Sequence, residues 1–277
     1  MNSTRYDSKT ASLKYANVFN LANIIMNGSA GLDQKIDARR QLQSLFATAQ
    51  LGYNEFVYLD LSARNDWSST LAYTSHEKSG FFYPSVGFSL IFNKLMTLPR
   101  WVSLAKIRGA YSMVGNDIPM FITNPSSHIT AGGEFLASDA APFKDMEPEM
   151  THSFEAGIEA RFLKNRIGLN ATFYKTNTRN QFFKLPTLSG DKYAYRYVNA
   201  GDIQNVGWEI SLDAVPLLTN HFKWKTEVNF STNRNKIISL HEALKEFLYG
   251  PTSFSSSYAM KLVKGGSIGD IYGKAFI

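Results

Sequence analysis

Residues 152–178 read HSFEAGIEARFLKNRIGLNATFYKTNT, with apolar and polar residues alternating along both halves. Successive side chains of a β-strand point to opposite faces of its sheet, so each half has one apolar and one polar face. Lys164-Asn165 lies between the halves as a short turn. The stretch therefore predicts a β-hairpin formed by residues 152–163 and 166–178. The apolar face of its first strand consists of Phe154, Ala156, Ile158, Ala160 and Phe162.

Three further pairs of alternating segments follow the same plan. Within a pair the connection is short, whereas long polar segments join one pair to the next. Outer-membrane β-barrels alternate short turns at one end with long loops at the other. We therefore predict an all-β fold, an antiparallel transmembrane β-barrel. The further pairs are residues 41–53 with 56–66, 81–93 with 103–114, and 203–214 with 222–234. The long polar connections are residues 67–80, 115–151, 179–202 and 235–257.

Weaker signals lie outside these pairs. We expect a strand at Leu13–Asn23, a polar turn at Asn27–Asp33 and a short helix at residues 239–249. Another strand is expected at Tyr258–Val263. The glycine-rich segment 265–269 lacks the Lys-Ser/Thr end of a phosphate loop, so it is expected to be a turn ahead of a strand.

The predicted strands carry Glu, Arg, Lys and Asn on their polar faces. An eight-stranded barrel has a filled interior, whereas barrels with many more strands enclose water. The polar faces therefore favour an arc of a larger barrel with a wide, wet lumen.

Composition excludes several classes of protein. Of the 277 residues, 44% are hydrophobic and 19% charged, which is not the composition of a disordered chain. The absence of cysteine excludes disulfides and thiolate metal sites. The net charge of +6 is dispersed, and its longest basic cluster, Arg39-Arg40, is too short for a nucleic-acid partner. No apolar run approaches the roughly 18 residues that a membrane helix needs.

Candidate catalytic groups do not form a recognisable site. Glu155 and Glu159 share one strand face, but about 13 Å of strand separates them, and paired carboxylates lie about 5–9.5 Å apart. Glu147 and Glu149 flank Pro148 and are interpreted as a loop edge. The sequence predicts no enzyme activity, no cofactor and no metal, because neither metal-ligand spacing nor a nucleophile elbow occurs. The scattered histidines are His76, His128, His152, His221 and His241.

Six motifs, in the same order along the chain, resemble the SusC/RagA family of TonB-dependent outer-membrane transporters. Arg64–Ser69 resembles the family pattern R-x-D-x-S-S, and Asn199–Glu209 is similar to N-x-G-x-I-x-N-x-G-x-E. The similarity covers roughly residues 40–277. The other four motifs are Tyr83–Gly87, Lys106–Asn116, Glu147–Thr151 with Glu155 and Gly157, and Gly269–Gly273.

The resemblance implies a barrel of about 22 strands, filled by a plug, in the outer membrane of a Gram-negative bacterium. It also implies import of oligosaccharides or peptides, driven through the TonB complex, with a SusD-like surface lipoprotein as partner. Residues 1–277 would then be part of a single barrel domain. The first residues lack the apolar core of a signal peptide, so we expect the chain to be a piece of a longer protein. Against the family, the plug and the final strands are expected to be missing from it.

The long connections would lie on the extracellular side of such a barrel. They carry aromatic residues that are able to stack on sugar rings or peptides, namely Tyr193, Tyr195, Tyr197, Phe121 and Phe135. The alternative is that these aromatics pack among themselves or against the lipoprotein.

Two other functions remain open from the sequence. A soluble β-sandwich or lectin-like carbohydrate-binding module would keep its polar face in bulk water. A small outer-membrane barrel enzyme would need converging Ser, His and acidic residues, which the sequence does not offer.

Overall fold

The structure is a computed structural model that describes residues 2–6, 38–78, 80–125, 127–129, 135–143, 146–187, 190–199, 201–240, 246–249 and 258–273. Helix α1 spans Phe92–Leu95, and a single 3₁₀ turn spans Ser69–Leu71. Neither described helix has the length and apolarity needed to cross a bilayer. The strands are β1 (Asn2–Tyr6), β2 (Ala38–Tyr53), β3 (Val57–Ser68), β4 (Phe81–Ile91), β5 (Val102–Asn116), β6 (His128–Ile129), β7 (Phe135–Leu136), β8 (Glu149–Phe162), β9 (Ile167–Arg179), β10 (Phe182–Pro186), β11 (Tyr195–Asn199), β12 (Asp202–Leu218), β13 (Lys223–Ser239), β14 (Glu246–Tyr249), β15 (Tyr258–Val263) and β16 (Ile271–Gly273).

Nine strands form one sheet in the order β1-β2-β3-β4-β5-β8-β9-β12-β13, and every neighbouring pair is antiparallel. The four predicted strand pairs are confirmed, except that residues 92–93, expected at the end of the strand 81–93, belong to helix α1. The sheet is not closed among the described residues, because its two outermost strands do not pair with each other. An arc of a larger barrel has this form. Two smaller sheets, β6-β7 and β10-β11, lie within the long connections, and a third, β14-β15-β16, follows β13 in the chain.

One face of the sheet is apolar and open. Large apolar side chains on it are exposed to an extent that is unusual for a soluble domain, and Phe230 reaches 59%. A continuous exposed apolar face marks a membrane or protein contact, and here it is the face that meets lipid in a barrel. We call this the outward face. Its exposed members include Leu51, Phe88, Ile158, Trp208, Leu212, Val228 and Phe230.

The opposite, inward face is polar, and the strand register arranges its side chains in rows. One row crosses eight strands and consists only of hydroxyl and amide side chains, two of which, Ser153 and Thr176, lie within 3.3 Å of each other. Such a row suits a wall in contact with water. The row is Thr48, Ser62, Ser85, Ser112, Ser153, Thr176, Asn205 and Asn235.

Short turns close the hairpins at one end of the sheet. Asn54 and Glu55 link β2 to β3 with φ of 46° and 58°, which suits the right-handed twist of the strands that they join. Lys94 of α1 lies 2.5 Å from Glu55 and ties the neighbouring connection to this turn. Hydrogen bonding and the charge of Lys94 hold the pKa of Glu55 below its usual value of 4.5.

Several weaker predictions need correction. The connection 179–202 contains the hairpin β10-β11, whose aromatic and β-branched residues outweigh the flanking turn signals. Residues 246–249 form strand β14 instead of the predicted helix, since pairing with β15 overrides local helix preference. The short strands β6 and β7 inside 115–151 were not predicted. Predictions for Leu13–Asn23 and Asn27–Asp33 lie outside the described residues.

Two predictions near the C-terminal end are confirmed. Strand β15 spans Tyr258–Val263, as expected. The glycine-rich segment that follows is a turn ahead of β16, in which Gly265 adopts a φ of 89°.

Candidate functional site

Strands β3 and β5 end together at the end of the sheet that carries the long connections, which we call the loop end. Asp117, just after β5, is a hydrogen-bond hub there: it accepts from Arg40 Nε at 3.0 Å and from Ser68 Oγ at 2.6 Å. Thr70 Oγ1 and the backbone N–H of Ile118 also donate to it. The Asp117 side chain is 7% exposed, so these donors replace most of the water that the carboxylate would otherwise bind. The hub fastens the connections after β3 and β5 to β2.

The motif Arg64–Ser69 at the end of β3 makes further hydrogen bonds at the loop end. Arg64 Nε donates to Asp66 Oδ1 at 2.8 Å, and Tyr83 of β4 donates its hydroxyl hydrogen to the other oxygen of Asp66. Ser69 Oγ accepts from the backbone N–H of Gln41 at 2.9 Å. The spacing of two places Arg64 and Asp66 on the inward face and brings both to the same rim.

A second polar junction joins β8 to the hairpin β10-β11. Asn199 Oδ1 accepts from the backbone N–H of Glu147 at 2.8 Å, and its amide donates to the backbone oxygens of Glu147 and Asn180 at 2.9 Å and 2.6 Å. Asn180 in turn donates to the Glu147 carboxylate at 2.7 Å. Glu147 therefore positions a loop edge, where the sequence had placed it.

Apolar side chains from the long connections and from the neighbouring strand ends form two buried clusters at the loop end. Burial of each large side chain stabilises the arrangement by about 1.5–3 kcal/mol. The connections are therefore packed structures held in one place. The first cluster consists of Leu71, Phe81, Ile118, Ile122 and Met146, and the second of Phe183, Leu185, Ile237 and Leu262.

A cavity of about 180 Å³ opens between the connections that the hub fastens, and we call it the loop pocket. Tyr73 and Phe121 lie on its lining with side chains 68% and 44% exposed. Both residues have a φ of 68°, a left-handed conformation that is rare for bulky side chains and that concentrates at functional sites. Exposed rings beside polar groups form a surface that can bind a ligand with both apolar and hydrogen-bonding groups. The polar lining comes from Ser69, Thr70, Thr123 and Asn124.

A larger groove of about 390 Å³ lies on the inward face just below the rim, and we call it the wall groove. Phe46 stands in it with 69% of its surface exposed, on a face that is mostly polar. The guanidinium carbon of Arg64 lies 6.0 Å from the centre of the Tyr83 ring, so a cation and an aromatic face line the groove together. Hydroxyls of the polar row, from Ser62, Ser85 and Ser112, complete its lining.

The five predicted aromatics do not converge. Tyr195 and Tyr197 pack against each other with ring centres 6.0 Å apart, and Lys184 Nζ lies 3.4 Å from the centre of the Tyr195 ring. Tyr197 also packs against the first buried cluster, and this burial raises the pKa of its hydroxyl. Phe121 lines the loop pocket. Phe135, 66% exposed, and Tyr193, beside Lys192, lie apart from both cavities.

Sequence reasoning missed Asp117, Tyr73 and Phe46. Phe46 carried a usable signal, because it interrupts the alternation of β2 by following Leu45 directly. Asp117 and Tyr73 carried none, since their importance depends on contacts between distant connections. Among the described residues, no group of three or more His, Asp or Glu side chains is placed to hold a metal ion.

Comparison with known proteins identifies this architecture. A family described as TonB dependent receptor-like, beta-barrel, matches residues 2–250. The chain belongs to this family. TonB-dependent receptor barrels of this kind are outer-membrane proteins of Gram-negative bacteria, and the predicted resemblance, fold class and localisation are confirmed.

Individual TonB-dependent receptors align over most of the chain. TonB-dependent receptor P39 of Formosa agariphila is 24% identical over 268 residues, which cover 94% of this chain and 24% of that protein. TonB-dependent receptor SusC of Bacteroides thetaiotaomicron is 25% identical and covers 74% of this chain and 22% of SusC. The chain thus spans about a quarter of the length of these relatives.

Solved structures of TonB-dependent receptors share the fold. The RagAB peptide transporter superposes with a TM-score of 0.71 at 20% identity, over 87% of this chain and 26% of that one. In an outer-membrane barrel of this family, the exposed apolar outward face contacts the lipid bilayer. A soluble β-sandwich would instead cover its apolar face with a second sheet, and the described residues contain no such sheet.

Proposed function

We propose that this chain forms part of the wall and extracellular mouth of a transporter that imports oligosaccharides or peptides across the outer membrane. The observation that supports the proposal most directly is the loop pocket, where Tyr73 and Phe121 present exposed rings beside hydroxyl and amide groups. Aromatic faces combined with hydrogen-bonding groups recognise sugar rings and peptides alike. The long connections of outer-membrane barrels face the outside, where such a substrate first arrives.

The wall groove supports a path inward from this mouth. It lies on the same inward face, one step below the rim, and offers an exposed ring at Phe46 and a cation at Arg64. The hydroxyl and amide row continues from it across the sheet. A substrate released from the loop pocket would meet hydrogen-bonding groups in place of an apolar barrier.

We infer two protein partners for the complete transporter. A SusD-like lipoprotein would sit over the loop end and help to capture substrate, and the TonB complex would supply energy from the periplasmic side. The relatives named SusC and RagAB support the first partner, and the family name supports the second. On this proposal the protein has no enzymatic role, and the substrate is passed through the barrel without chemical change.

The test is uptake by the full-length receptor in its native membrane. The double variant Y73A/F121A is compared with Y53A, which removes an equally exposed tyrosine, 64%, at the short-turn end. We expect about tenfold slower uptake of fluorescent oligosaccharides or peptides for the double variant, because each lost ring contact costs about 0.5–1.5 kcal/mol. Y53A should import normally. Receptor levels are matched by immunoblotting, and normal uptake by the double variant would overturn the role of the loop pocket.

A further inference from the structure

The outward face changes character towards the loop end of β8, β9, β12 and β13. In its middle, one register row is entirely apolar and consists of Ile158, Ala171, Ile210 and Phe230. Closer to the loop end, Phe173 and Trp208 pack with ring centres 5.2 Å apart. The next row is Phe154, Lys175, Val206 and Arg234. The row after it is His152, Asn177, Gln204 and Lys236.

Lys175, Arg234 and Lys236 therefore lie together, and we call them the outward basic patch. Neighbouring strands are about 4.8 Å apart, which places Lys175 roughly 10 Å from Arg234, while Lys236 follows Arg234 on the same strand at about 7 Å. All three side chains are exposed. Their charges are unneutralised: among the described residues, none of the three is in an ion pair.

The surroundings of the patch are polar and partly paired. Arg179 lies beside it and forms an ion pair with Asp202, with Nε and Oδ2 3.7 Å apart. Asn177 donates to Asp202 at 2.8 Å and accepts from Gln204 at 3.2 Å. The acidic group is thus already engaged. The three cations of the patch remain available to an external anion.

This location is unusual for charge. On the outward face of β3, β4, β5 and β8 the strands carry no Lys, Arg, Asp or Glu, and cations such as Lys106 and Arg108 point inward. A cation on a lipid-facing surface is costly at the bilayer centre and favourable near the headgroups. The patch begins where the apolar rows end, so it lies at headgroup depth on the extracellular side.

An apolar groove lies further along the outward face, on β2 to β5. Tyr111 shares a register row with Lys175, and its hydroxyl lies 2.8 Å from His152 Nδ1. On its other side, Tyr111 lines an apolar groove of about 350 Å³ together with Leu61, Pro84 and Val86. Small residues, Ala47, Ala49 and Ala63, form the floor of this groove and leave room above it.

We propose that the outward basic patch binds the phosphorylated headgroup of an outer-leaflet lipid whose acyl chains lie on the apolar rows beside the patch. Phosphate oxygens accept several charge-assisted hydrogen bonds at once, and the guanidinium of Arg234 has the planar geometry to donate two of them. The site would hold one leaflet lipid against β9, β12 and β13, on the side of the wall away from the substrate path.

The first experiment uses the full-length receptor extracted from its native membrane in mild detergent. Bound phosphorylated lipid is quantified by native mass spectrometry for the wild type, for K175Q/R234Q/K236Q and for the control K106Q/K223Q/K225Q. The control removes three cations of the inward face, so it matches the change in charge. We expect the control to retain as much bound lipid as the wild type. The patch variant should retain about tenfold less. Equal retention by the patch variant would overturn the proposal.

A second measurement on the wild type alone guards against poor folding of the patch variant. Delipidated receptor is mixed with lipid A or with enzymatically dephosphorylated lipid A, and its thermal unfolding is followed. Only the phosphorylated lipid should raise the unfolding temperature, and rising salt should weaken the effect. Equal stabilisation by both lipids would show that acyl contacts alone hold the lipid, and absence of stabilisation by either would exclude the site.

Discussion

Asp117 is the residue on which the architecture of the loop end depends most directly. It gathers donors from β2, from the end of β3 and from its own connection around one nearly buried carboxylate. Tyr73 and Phe121 belong to two of the segments that it fastens. Asp117 does not itself line the loop pocket, so a change there should act on the pocket through Thr70 and the segments that Asp117 fastens.

D117N tests this dependence. The amide keeps the shape of the carboxylate but loses its charge, and hydrogen bonds to charged groups contribute about 1.5–3 kcal/mol each. We expect local opening of residues 69–80 to increase, and trypsin to cut after Lys78 about tenfold faster in the full-length receptor. Mass spectrometry of the released peptides measures the rate. D191N is the control, because Asp191 is exposed and, among the described residues, hydrogen-bonds only to the backbone of Lys192. Equal cleavage in both variants would contradict the hub.

At the scale of elements, the main sheet depends on close approach between neighbouring strands. Gly207 of β12 faces the lumen, where a Cβ atom would overlap the backbone oxygen of Thr232 and the hydroxyl of Tyr174. Gly87 of β4 also faces inward, but a Cβ atom there would meet Asp60 at an ordinary 3.5 Å. Only Gly207 therefore has no room for a side chain, although both glycines lie in strands of the same sheet.

G207A should accordingly weaken the pairing of β12 with β13, whereas G87A should be tolerated. Overpacking against backbone costs about 1–3 kcal/mol, since a strand cannot swing aside as a flexible side chain does. We expect a lower unfolding temperature for G207A, measured from the temperature at which the receptor changes its mobility on a gel. If G87A and G207A unfold at the same temperature, the close contact at Gly207 does not determine the stability of the sheet.

At the scale of the whole molecule, the chain is an open nine-stranded sheet with an exposed apolar face. Both properties are satisfied in a closed barrel within lipid, where strand edges pair and apolar side chains meet acyl chains. In water, the unpaired strand edges and the exposed apolar face both promote aggregation.

The 277-residue segment expressed alone should consequently aggregate in plain buffer and remain dispersed only with detergent. Size-exclusion chromatography with light scattering measures this, and a matched run in detergent separates aggregation from degradation. A soluble monomer that melts cooperatively in plain buffer would contradict the exposed apolar face described above.

Much of the fold was predictable because alternation is a local property. The four hairpins follow from the positions of residues such as Phe154 and Ile158, and the structure shifts the ends of their strands by a few residues without moving the strands to another face. Strand β14 was mispredicted and the hairpin β10-β11 overlooked, because pairing with a neighbour decided them. Phe46 could have been recognised as a break in alternation, whereas Asp117 could not, since its donors Arg40 and Ser68 are distant in sequence.

The sequence by itself determined the class of fold, the polar and apolar faces and the family, because these depend on residue order over a few positions. Tertiary structure decided what lies beside what. Lys175 and Arg234 are 59 residues apart, and only the register of β9, β12 and β13 places them on one patch. Tyr73 and Phe121 come to line one pocket only because distant connections fold onto the same hub. The alternation of apolar and polar side chains is a property of neighbouring positions in the sequence. Which residues are neighbours across a sheet depends on the pairing of strands that are distant in the chain.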